Sequence, residues 1–106
     1  MRFWLRVLAV LLASSAAVFG SSRSQREHGA AVFAESGCRH CHTIRNDGGN
    51  KGPDLSGVGR RLSEAQMRRQ IVEGSKVMPS FGNVLEAKEL EDLLSYLRSC
   101  RDKKRK

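Results

Sequence analysis

The most regular hydrophobic pattern in the chain lies close to its C-terminal end. Leucines recur there at intervals of three and four residues, at Leu90, Leu93, Leu94 and Leu97. This spacing places them on one face of an α-helix, which is stable when that face is buried against the rest of the protein. Acidic residues precede the leucines and basic residues follow them, as the helix dipole favours. Cys100 continues the same face and is expected to be a small buried residue.

Two further helices are predicted from their end signals. The first, 24–36, opens with the capping-box pattern S-x-x-E and is followed by Gly37. The second, 63–73, opens with S-x-x-Q and is followed by Gly74. No stretch alternates with a period of two residues, so a β-sheet is not expected. The segment 43–59 is rich in Gly, Asn and Asp and is expected to be an irregular loop.

The N-terminal segment has a pattern of its own. Arg2 and Arg6 give it a basic start, and an apolar run over 7–19 is followed by Gly20 and small polar residues. This order is typical of a secretory signal peptide, which we predict at 1–20. The apolar run is shorter than the ~20 residues of a transmembrane helix, and an uncleaved membrane anchor is the alternative. The protein is therefore expected to be exported, in a bacterium to the periplasm.

Composition indicates that the exported chain has too few large apolar residues to form a stable core alone. The 106 residues suit one domain, and loss of the two N-terminal arginines lowers the formal charge from +8 to +6. Phe33, Phe81 and Tyr96 are then the remaining aromatic residues. A chain of this size rarely buries enough apolar surface on its own, so a large apolar cofactor is expected to fill the interior. The predicted organisation is a domain over 21–100 and a basic tail over 101–106.

The chemistry of the chain is concentrated in Cys38, Cys41 and His42, which form the pattern C-x-x-C-H. Two thiols at this spacing can each form a thioether bond to one edge of a porphyrin. The histidine that follows is then placed to coordinate the iron. Covalent haem attachment takes place outside the cytoplasm, so the predicted signal peptide and this motif support each other.

Other interpretations of these residues are weaker. A structural zinc site needs about four ligands, and outside the motif only His28 and Cys100 remain to complete one. A thioredoxin-like redox pair is expected after a strand in a βαβ unit, and no such pattern occurs here. A disulfide between Cys38 and Cys41 would close a very small loop and stabilise the protein little. His40, inside the motif, is expected to be a solvent-facing spacer.

Met78 is the predicted second axial ligand. Met1 leaves with the signal peptide, and Met67 lies on a helix face, where packing in the core is the ordinary explanation. Met78 lies instead in a short loop, 74–82, and Pro79 stiffens the chain directly after it. A thioether on a stiff loop suits a soft axial ligand of iron, while simple core filling is the alternative.

These segments, in this order, resemble the class I cytochrome c family over nearly all of 24–100. The segment 33–42 is similar to the family's first helix and haem-attachment turn, and 52–57 to its proline segment beside the proximal histidine. The segment 77–81 resembles the distal-ligand loop, and 90–97 the C-terminal helix. The resemblance implies an all-α cytochrome c fold, with three main helices and irregular loops around one covalent haem c.

The resemblance also implies roles for three residues outside the motif. The backbone oxygen of Pro53 is expected to accept a hydrogen bond from the second ring nitrogen of His42, which would fix the orientation of the imidazole. Arg60 and Arg61 occupy a place where the family often has a basic residue near a haem propionate. For each arginine alone, a solvated surface position is an equal alternative.

The expected function is one-electron transfer rather than catalysis. Two protein ligands, His42 and Met78, would leave no open position on the iron. Expected partners are exported or membrane redox proteins with acidic surfaces, since the chain is basic. Membrane association through an uncleaved N-terminus or through the tail 101–106 is an alternative, and no nucleic acid is expected. An alternative function is that of a dedicated electron-accepting subunit of a periplasmic dehydrogenase.

Overall fold

A computed structural model describes residues 22–103, and most of its regular structure is helical. The four α-helices are α1 (Ser22–Glu35), α2 (Val58–Arg61), α3 (Glu64–Glu73) and α4 (Ala87–Ser99). A 3₁₀ turn (Cys38–His40) follows α1, and a hairpin of β1 (Thr43–Ile44) and β2 (Asp47–Gly48) precedes α2. The three main helices and the all-α class expected from the sequence are confirmed, and α2 adds a single turn.

Two predicted segments fall partly or wholly outside the described residues. The predicted signal peptide, 1–20, lies wholly outside them, and 104–106 of the basic tail do so as well. Within 22–103, no helix combines the length and the apolar character that crossing a lipid bilayer requires.

Helices α1 and α4 cross at Gly29. A Cβ atom on Gly29 would lie 2.7 Å from the Cβ of Tyr96 and closer still to the backbone oxygen of Asp92, so only glycine admits this approach. One turn further along α1, the rings of Phe33 and Tyr96 meet edge to face with their centroids 6.0 Å apart. The crossing fixes the C-terminal end of α1, and therefore the turn that begins at Cys38, against α4.

The predicted apolar face of α4 forms the centre of the core. Leu93 and Leu94 are 1% exposed, and Cys100 is 2% exposed, as expected for a small buried residue. The buried residues that join them from other elements are Val32, Phe33, Ile44, Val58, Met67 and Ile71. Since both α1 and α3 contribute to this cluster, burial of α4 holds the three long helices together.

The glycine and capping signals predicted most of the helix ends. The capping box of α3 is confirmed, because the Gln66 amide donates to Ser63 Oγ at 3.2 Å and the Ser63 amide donates to Gln66 Oε1 at 2.8 Å. Gly37 and Gly74 end the helices before them with φ of 86° and 69°. The predicted cap at Ser24 was wrong, because the two residues before Ser24 are already helical. A capping pattern marks a helix start only where the preceding backbone leaves the helix.

The loop over 43–59 is more regular than its composition predicts. Its first part is an antiparallel hairpin in which Thr43 pairs with Gly48. Arg45 and Asn46 form the two-residue turn with φ of 51° and 68°, and a type I′ turn requires positive φ at both central residues. Strands of two residues are too short to show an alternating pattern, so the sequence did not reveal them.

The chain after α4 stays attached to the domain. The Gly59 amide donates to the Cys100 oxygen at 2.8 Å, and the Asp102 amide donates to the Ser56 oxygen at 3.0 Å. The Arg45 guanidinium donates to both carboxylate oxygens of Asp102, at 3.1 and 3.3 Å. The described start of the basic tail is therefore fixed beside the loop that leads into α2.

Candidate cofactor-binding site

A small apolar cavity of about 40 Å³ lies between the three long helices and their loops. Cys38, His42 and Met78 border it and carry its chemistry. The other lining residues are apolar: Phe33, Leu55, Ile71, Phe81, Leu85, Leu93 and Leu97. The fold therefore brings together, at one apolar cavity, three of the residues that the sequence singled out.

The two thiols lie on one tight turn. Both the Cys41 amide, at 3.3 Å, and the His42 amide, at 2.9 Å, donate to the Cys38 oxygen. Cys38 and Cys41 are free thiols, so the disulfide considered from the sequence is not formed. Burial raises the pKa of the Cys38 thiol above its ordinary value. Cys41 is half-buried and does not border the cavity itself.

The His42 imidazole is held from two sides. Its Nδ1 lies 2.8 Å from the backbone oxygen of Pro53. Since a carbonyl oxygen can only accept, Nδ1 carries the proton and Nε2 is the basic nitrogen. A Cβ atom on Gly52 would lie 2.6 Å from His42 Cε1, so the ring packs directly over the backbone of that glycine. The ring orientation and its tautomer are therefore both fixed by the segment 52–53.

Hydrogen bonds in turn hold the segment that carries Pro53. The Leu55 amide donates to the Thr43 oxygen at 2.9 Å, and the Arg45 amide donates to Ser56 Oγ at 2.7 Å. The Ser56 amide donates to Asp54 Oδ1 at 2.8 Å, and hydrogen bonding with Ser56 lowers the pKa of Asp54. The β-hairpin thus fixes the backbone whose carbonyl faces His42.

The loop that presents Met78 is attached to the end of α3. The Ser75 amide donates to the Met78 oxygen at 2.8 Å, and the Met78 amide donates to Ser75 Oγ at 3.3 Å. A Cβ atom on Gly74 would lie 2.6 Å from that same Met78 oxygen, so glycine is needed here for space as well as for its positive φ. The Phe81 amide donates to the Ile71 oxygen at 2.9 Å and anchors the far end of the loop.

The two methionines of the described domain occupy different environments. Met67 is 3% exposed and packs in the core, away from the cavity lining. Met78 is half-buried at the cavity, where Gln70 Nε2 donates to its sulfur at 3.5 Å. Sequence reasoning did not single out Gln70. No local sequence signal marks this contact, because it forms only where the loop folds back on α3.

Arg60 and Arg61 lie on α2 and are exposed. Arg61 Nη2 donates to the backbone oxygen of Asp54 at 2.9 Å, which places its guanidinium beside the segment that supports His42. Neither arginine borders the cavity. Their role toward a haem propionate stays a prediction.

The donor set of the cavity fits a haem better than a bare metal ion. Within 22–103 there is no group of three or more His, Cys, Asp or Glu side chains that could hold a metal ion, so the zinc interpretation gains no support. A covalent haem needs an apolar lining, an imidazole with a fixed tautomer, a thioether and two free thiols. The cavity has the first three and the Cys38 thiol, and the Cys41 thiol lies on the same turn beside it.

Comparison with known proteins leads to the same cofactor. The family model for cytochrome c oxidase, cbb3-type, subunit III matches residues 24–97. A cytochrome c-553-like protein of Synechocystis sp. is 36% identical, over 73% of this chain and 70% of the relative. The menaquinol:cytochrome c reductase cytochrome c subunit of Bacillus subtilis is 32% identical, over 91% of this chain and 47% of the relative. The chain thus spans about half the length of that subunit.

The fold comparison agrees with the sequence comparison. A chain of the crystal structure of SoxXA from P. pantotrophus has a TM-score of 0.62 and 25% sequence identity, with 73% of this chain and 82% of that chain covered. Family membership brings with it a covalently bound haem c, which agrees with the donor groups at the cavity. The chain therefore belongs to the class I c-type cytochromes, as a single-haem electron-transfer protein and not an enzyme.

Proposed function

We propose that this protein carries single electrons on one haem c that Cys38 and Cys41 bind through thioether bonds. His42 and Met78 would be the two axial ligands of the iron. The observation that supports this assignment most strongly is that an imidazole with a fixed tautomer and a thioether border the same apolar cavity as Cys38. The haem supplies the one-electron chemistry, and the protein supplies ligands, burial and docking.

Each side chain at the cavity then has a distinct task. The hydrogen bond from His42 Nδ1 to Pro53 orients the ring and raises the basicity of Nε2. The neutral, soft sulfur of Met78 favours the reduced state of iron relative to a second histidine. Leucine and phenylalanine side chains form most of the cavity lining and keep it apolar. Two permanent ligands also mean that little rearrangement accompanies gain or loss of an electron.

Absorption spectra of two methionine variants test the axial assignment. The protein would be produced in a host with haem-maturation machinery, as wild type, Met78→Ala and Met67→Ala. We expect Met78→Ala to lose the spectrum of methionine-coordinated haem. Met67→Ala should keep that spectrum and lower the free energy of unfolding by about 2–5 kcal/mol, since it removes a core side chain. Loss of the spectrum in Met67→Ala but not in Met78→Ala would show that the distal ligand is wrongly assigned.

We further infer that the protein is exported and processed. A signal peptide over 1–20 would be removed, leaving a cytochrome domain over 21–100 and a basic tail over 101–106. This inference is supported by the signal-peptide pattern at the N-terminus and the C-x-x-C-H motif that follows it. Covalent haem attachment outside the cytoplasm requires that the chain be exported first. Sequencing the N-terminus of the mature protein from a periplasmic fraction tests the cleavage site. An intact N-terminus in the membrane fraction would favour the uncleaved anchor instead.

The partners that we propose are redox proteins with acidic docking surfaces. Five exposed basic residues form what we call the C-terminal basic surface: Arg45, Arg60, Arg61, Arg101 and Lys103. Hydrogen bonds connect the segments that carry them, because Arg101 Nη1 donates to the Gly59 oxygen at 2.6 Å and Arg45 binds Asp102. Guanidinium groups held in this way favour carboxylates on a partner.

A dedicated electron-accepting subunit of a periplasmic dehydrogenase is the second candidate function. One relative favours this function, because the menaquinol:cytochrome c reductase cytochrome c subunit of Bacillus subtilis is itself a subunit of a larger complex. Affinity purification of the haem-loaded protein from its native host separates the two functions. A stoichiometric complex that survives high salt indicates a subunit. A mobile carrier should instead be recovered alone at high salt, because screening removes electrostatic docking.

A further inference from the structure

Gln70 lies on the last turn of α3, three residues before its final residue, Glu73, and its side-chain amide donates to the sulfur of Met78. The distance from Nε2 to Sδ is 3.5 Å. This contact connects α3 to the loop through the side-chain sulfur, which is the only side-chain acceptor of Met78. Gln70 is exposed, and an ordinary surface glutamine would direct its amide to water. The contact with the sulfur of Met78 is therefore unusual for such a residue.

Short backbone connections hold the amide and the sulfur near each other. The Gly74 amide donates to the Gln70 oxygen at 2.9 Å, which fixes the helical turn. Reciprocal hydrogen bonds between Ser75 and Met78 close the loop that follows. Because only this closed turn separates the donor from the acceptor, forming the contact orders little additional chain.

A thioether sulfur is a weak hydrogen-bond acceptor that carries two lone pairs. One lone pair can bind iron while the other accepts a hydrogen bond from Gln70. We propose that Gln70 tunes the sulfur of Met78: its N–H draws electron density from the thioether and raises the reduction potential of the haem. The inference rests on the proposed function, because it takes Met78 as the axial ligand.

The sign of the expected change in reduction potential follows from how much ferric and ferrous iron each gain from the sulfur donor. Ferric iron gains more from electron donation than ferrous iron, so a weaker sulfur donor destabilises the ferric state more. Loss of the Gln70 amide should therefore lower the potential. An apolar replacement would by itself disfavour the more highly charged ferric state and raise the potential. Loss of the hydrogen bond and gain of an apolar side chain therefore change the potential in opposite directions. Because Gln70 is exposed, the apolar side chain has the smaller effect.

Potentiometric titration of Gln70→Leu measures the proposed effect. At a fixed applied potential, we expect the ratio of ferrous to ferric protein to fall about threefold, the size of one weak net hydrogen bond. The control is Asn83→Leu, which removes another exposed side-chain amide after α3 and should leave the ratio unchanged. Gln70→Glu adds a rescue, because a protonated carboxyl still donates and an ionised one does not. Its ratio should match that of the wild type at low pH and fall as the carboxyl ionises.

NMR of the reduced protein supplies a readout that does not depend on the potential. One side-chain amide proton of Gln70 should exchange with solvent more slowly than those of the exposed Asn83, because the sulfur of Met78 accepts its hydrogen bond. An unchanged or raised ferrous ratio in Gln70→Leu, or an equal fall in Asn83→Leu, would overturn this inference alone. A wild-type spectrum in Met78→Ala would overturn both this inference and the axial assignment.

Discussion

At the scale of single residues, Asp92 is the clearest case of a buried charge held by its neighbours. It lies where α1 and α4 cross, and Oδ2 accepts hydrogen bonds from Lys88 Nζ at 3.0 Å and from His28 Nδ1 at 2.6 Å. Gln25 on α1 faces the same carboxylate. The hydrogen bonds from Lys88, and then from His28, lower the pKa of Asp92. Burial of a carboxylate is tolerated here because both helices supply donors.

The lowered pKa of Asp92 predicts how stability depends on pH. The carboxylate stabilises the folded state above its unfolded pKa, and this contribution is lost as pH falls through the lower folded pKa. We therefore expect the free energy of unfolding to fall below about pH 4 in the wild type, and the fall to be shallower in Asp92→Asn. Urea unfolding at a series of pH values measures this difference. Glu35→Gln, at an exposed carboxylate on α1, is the control. Parallel pH curves for wild type and Asp92→Asn would contradict the prediction.

The sequence predicted residues whose chemistry is local and missed those defined by distant contacts. Cys38, Cys41 and His42 share one turn, so their spacing alone indicates what they can bind. The contact from Gln70 to Met78 depends on how the loop folds back on α3, and no local pattern encodes it. The two exposed arginines of α2 were proposed from resemblance alone, and their relation to the haem is still untested.

At the scale of elements, the ends of the helices decide where the proposed haem ligands lie. Gly37 ends α1 directly before Cys38, and Gly74 ends α3 before the loop that carries Met78. The start of α3 is fixed by the capping box at Ser63. If α3 began elsewhere, the loop attached to its final turn would shift relative to the cavity. The caps therefore contribute to the position of the proposed ligands as well as to stability.

A pair of serine variants tests this account of the helix ends. Ser63→Ala removes the acceptor of the Gln66 amide, and we expect it to lower the free energy of unfolding by about 1 kcal/mol. Ser24→Ala changes a serine with the same sequence signature that lies inside α1, and should alter stability by less than about 0.5 kcal/mol. Chemical denaturation of both variants decides the point. A larger loss in Ser24→Ala than in Ser63→Ala would mean that the helix starts are wrongly understood.

The long elements were predictable because their patterns span several turns. Leucine spacing, the capping signal at Ser63 and two helix-ending glycines identified the three main helices, while the signal at Ser24 misplaced the start of α1 by two residues. The helix α2 has a single turn, and the strands have two residues each, so neither carries a period that can be recognised. The positive φ of Arg45 is supported by Ser56 and Asp102, which are far along the chain. These hydrogen bonds join residues that meet only in the folded protein, so a local sequence pattern does not predict them.

At the scale of the whole molecule, charge is distributed unevenly. Between α3 and α4 the charges are balanced, because Arg68 pairs with Glu64 and Glu91, and Arg98 pairs with Glu64. The C-terminal basic surface carries an excess of positive charge, and the sequence adds three further basic residues at 104–106. An uneven field of this kind steers a charged partner toward one face.

Truncation of the tail tests this steering, and the structure fixes where to cut. Deletion of 103–106 removes four basic residues and keeps the contacts of Asp102. We expect it to slow oxidation by ferricyanide, an anionic reagent, and to speed oxidation by a cationic cobalt complex. Both effects should appear at low salt and fade as ionic strength approaches about 0.5 M. Stopped-flow kinetics measures the rates. Equal rates for the truncated and full chains with both reagents would argue against steering by the tail.

A second truncation separates charge from attachment. Deletion of 101–106 also removes Asp102, which binds Arg45 and the backbone of Ser56. We expect this deletion, unlike that of 103–106, to lower the free energy of unfolding. Equal stability of the two truncated proteins would show that the segment after α4 contributes charge alone.

The most direct test of the account is the mass and colour of the mature protein. Produced with haem-maturation machinery, the wild type should be coloured and should gain the mass of one haem, located by peptide mapping at Cys38 and Cys41. The double variant Cys38→Ala/Cys41→Ala should gain no covalent haem, because it lacks both thiols. Colourless wild-type protein with both of these thiols unmodified would contradict the account.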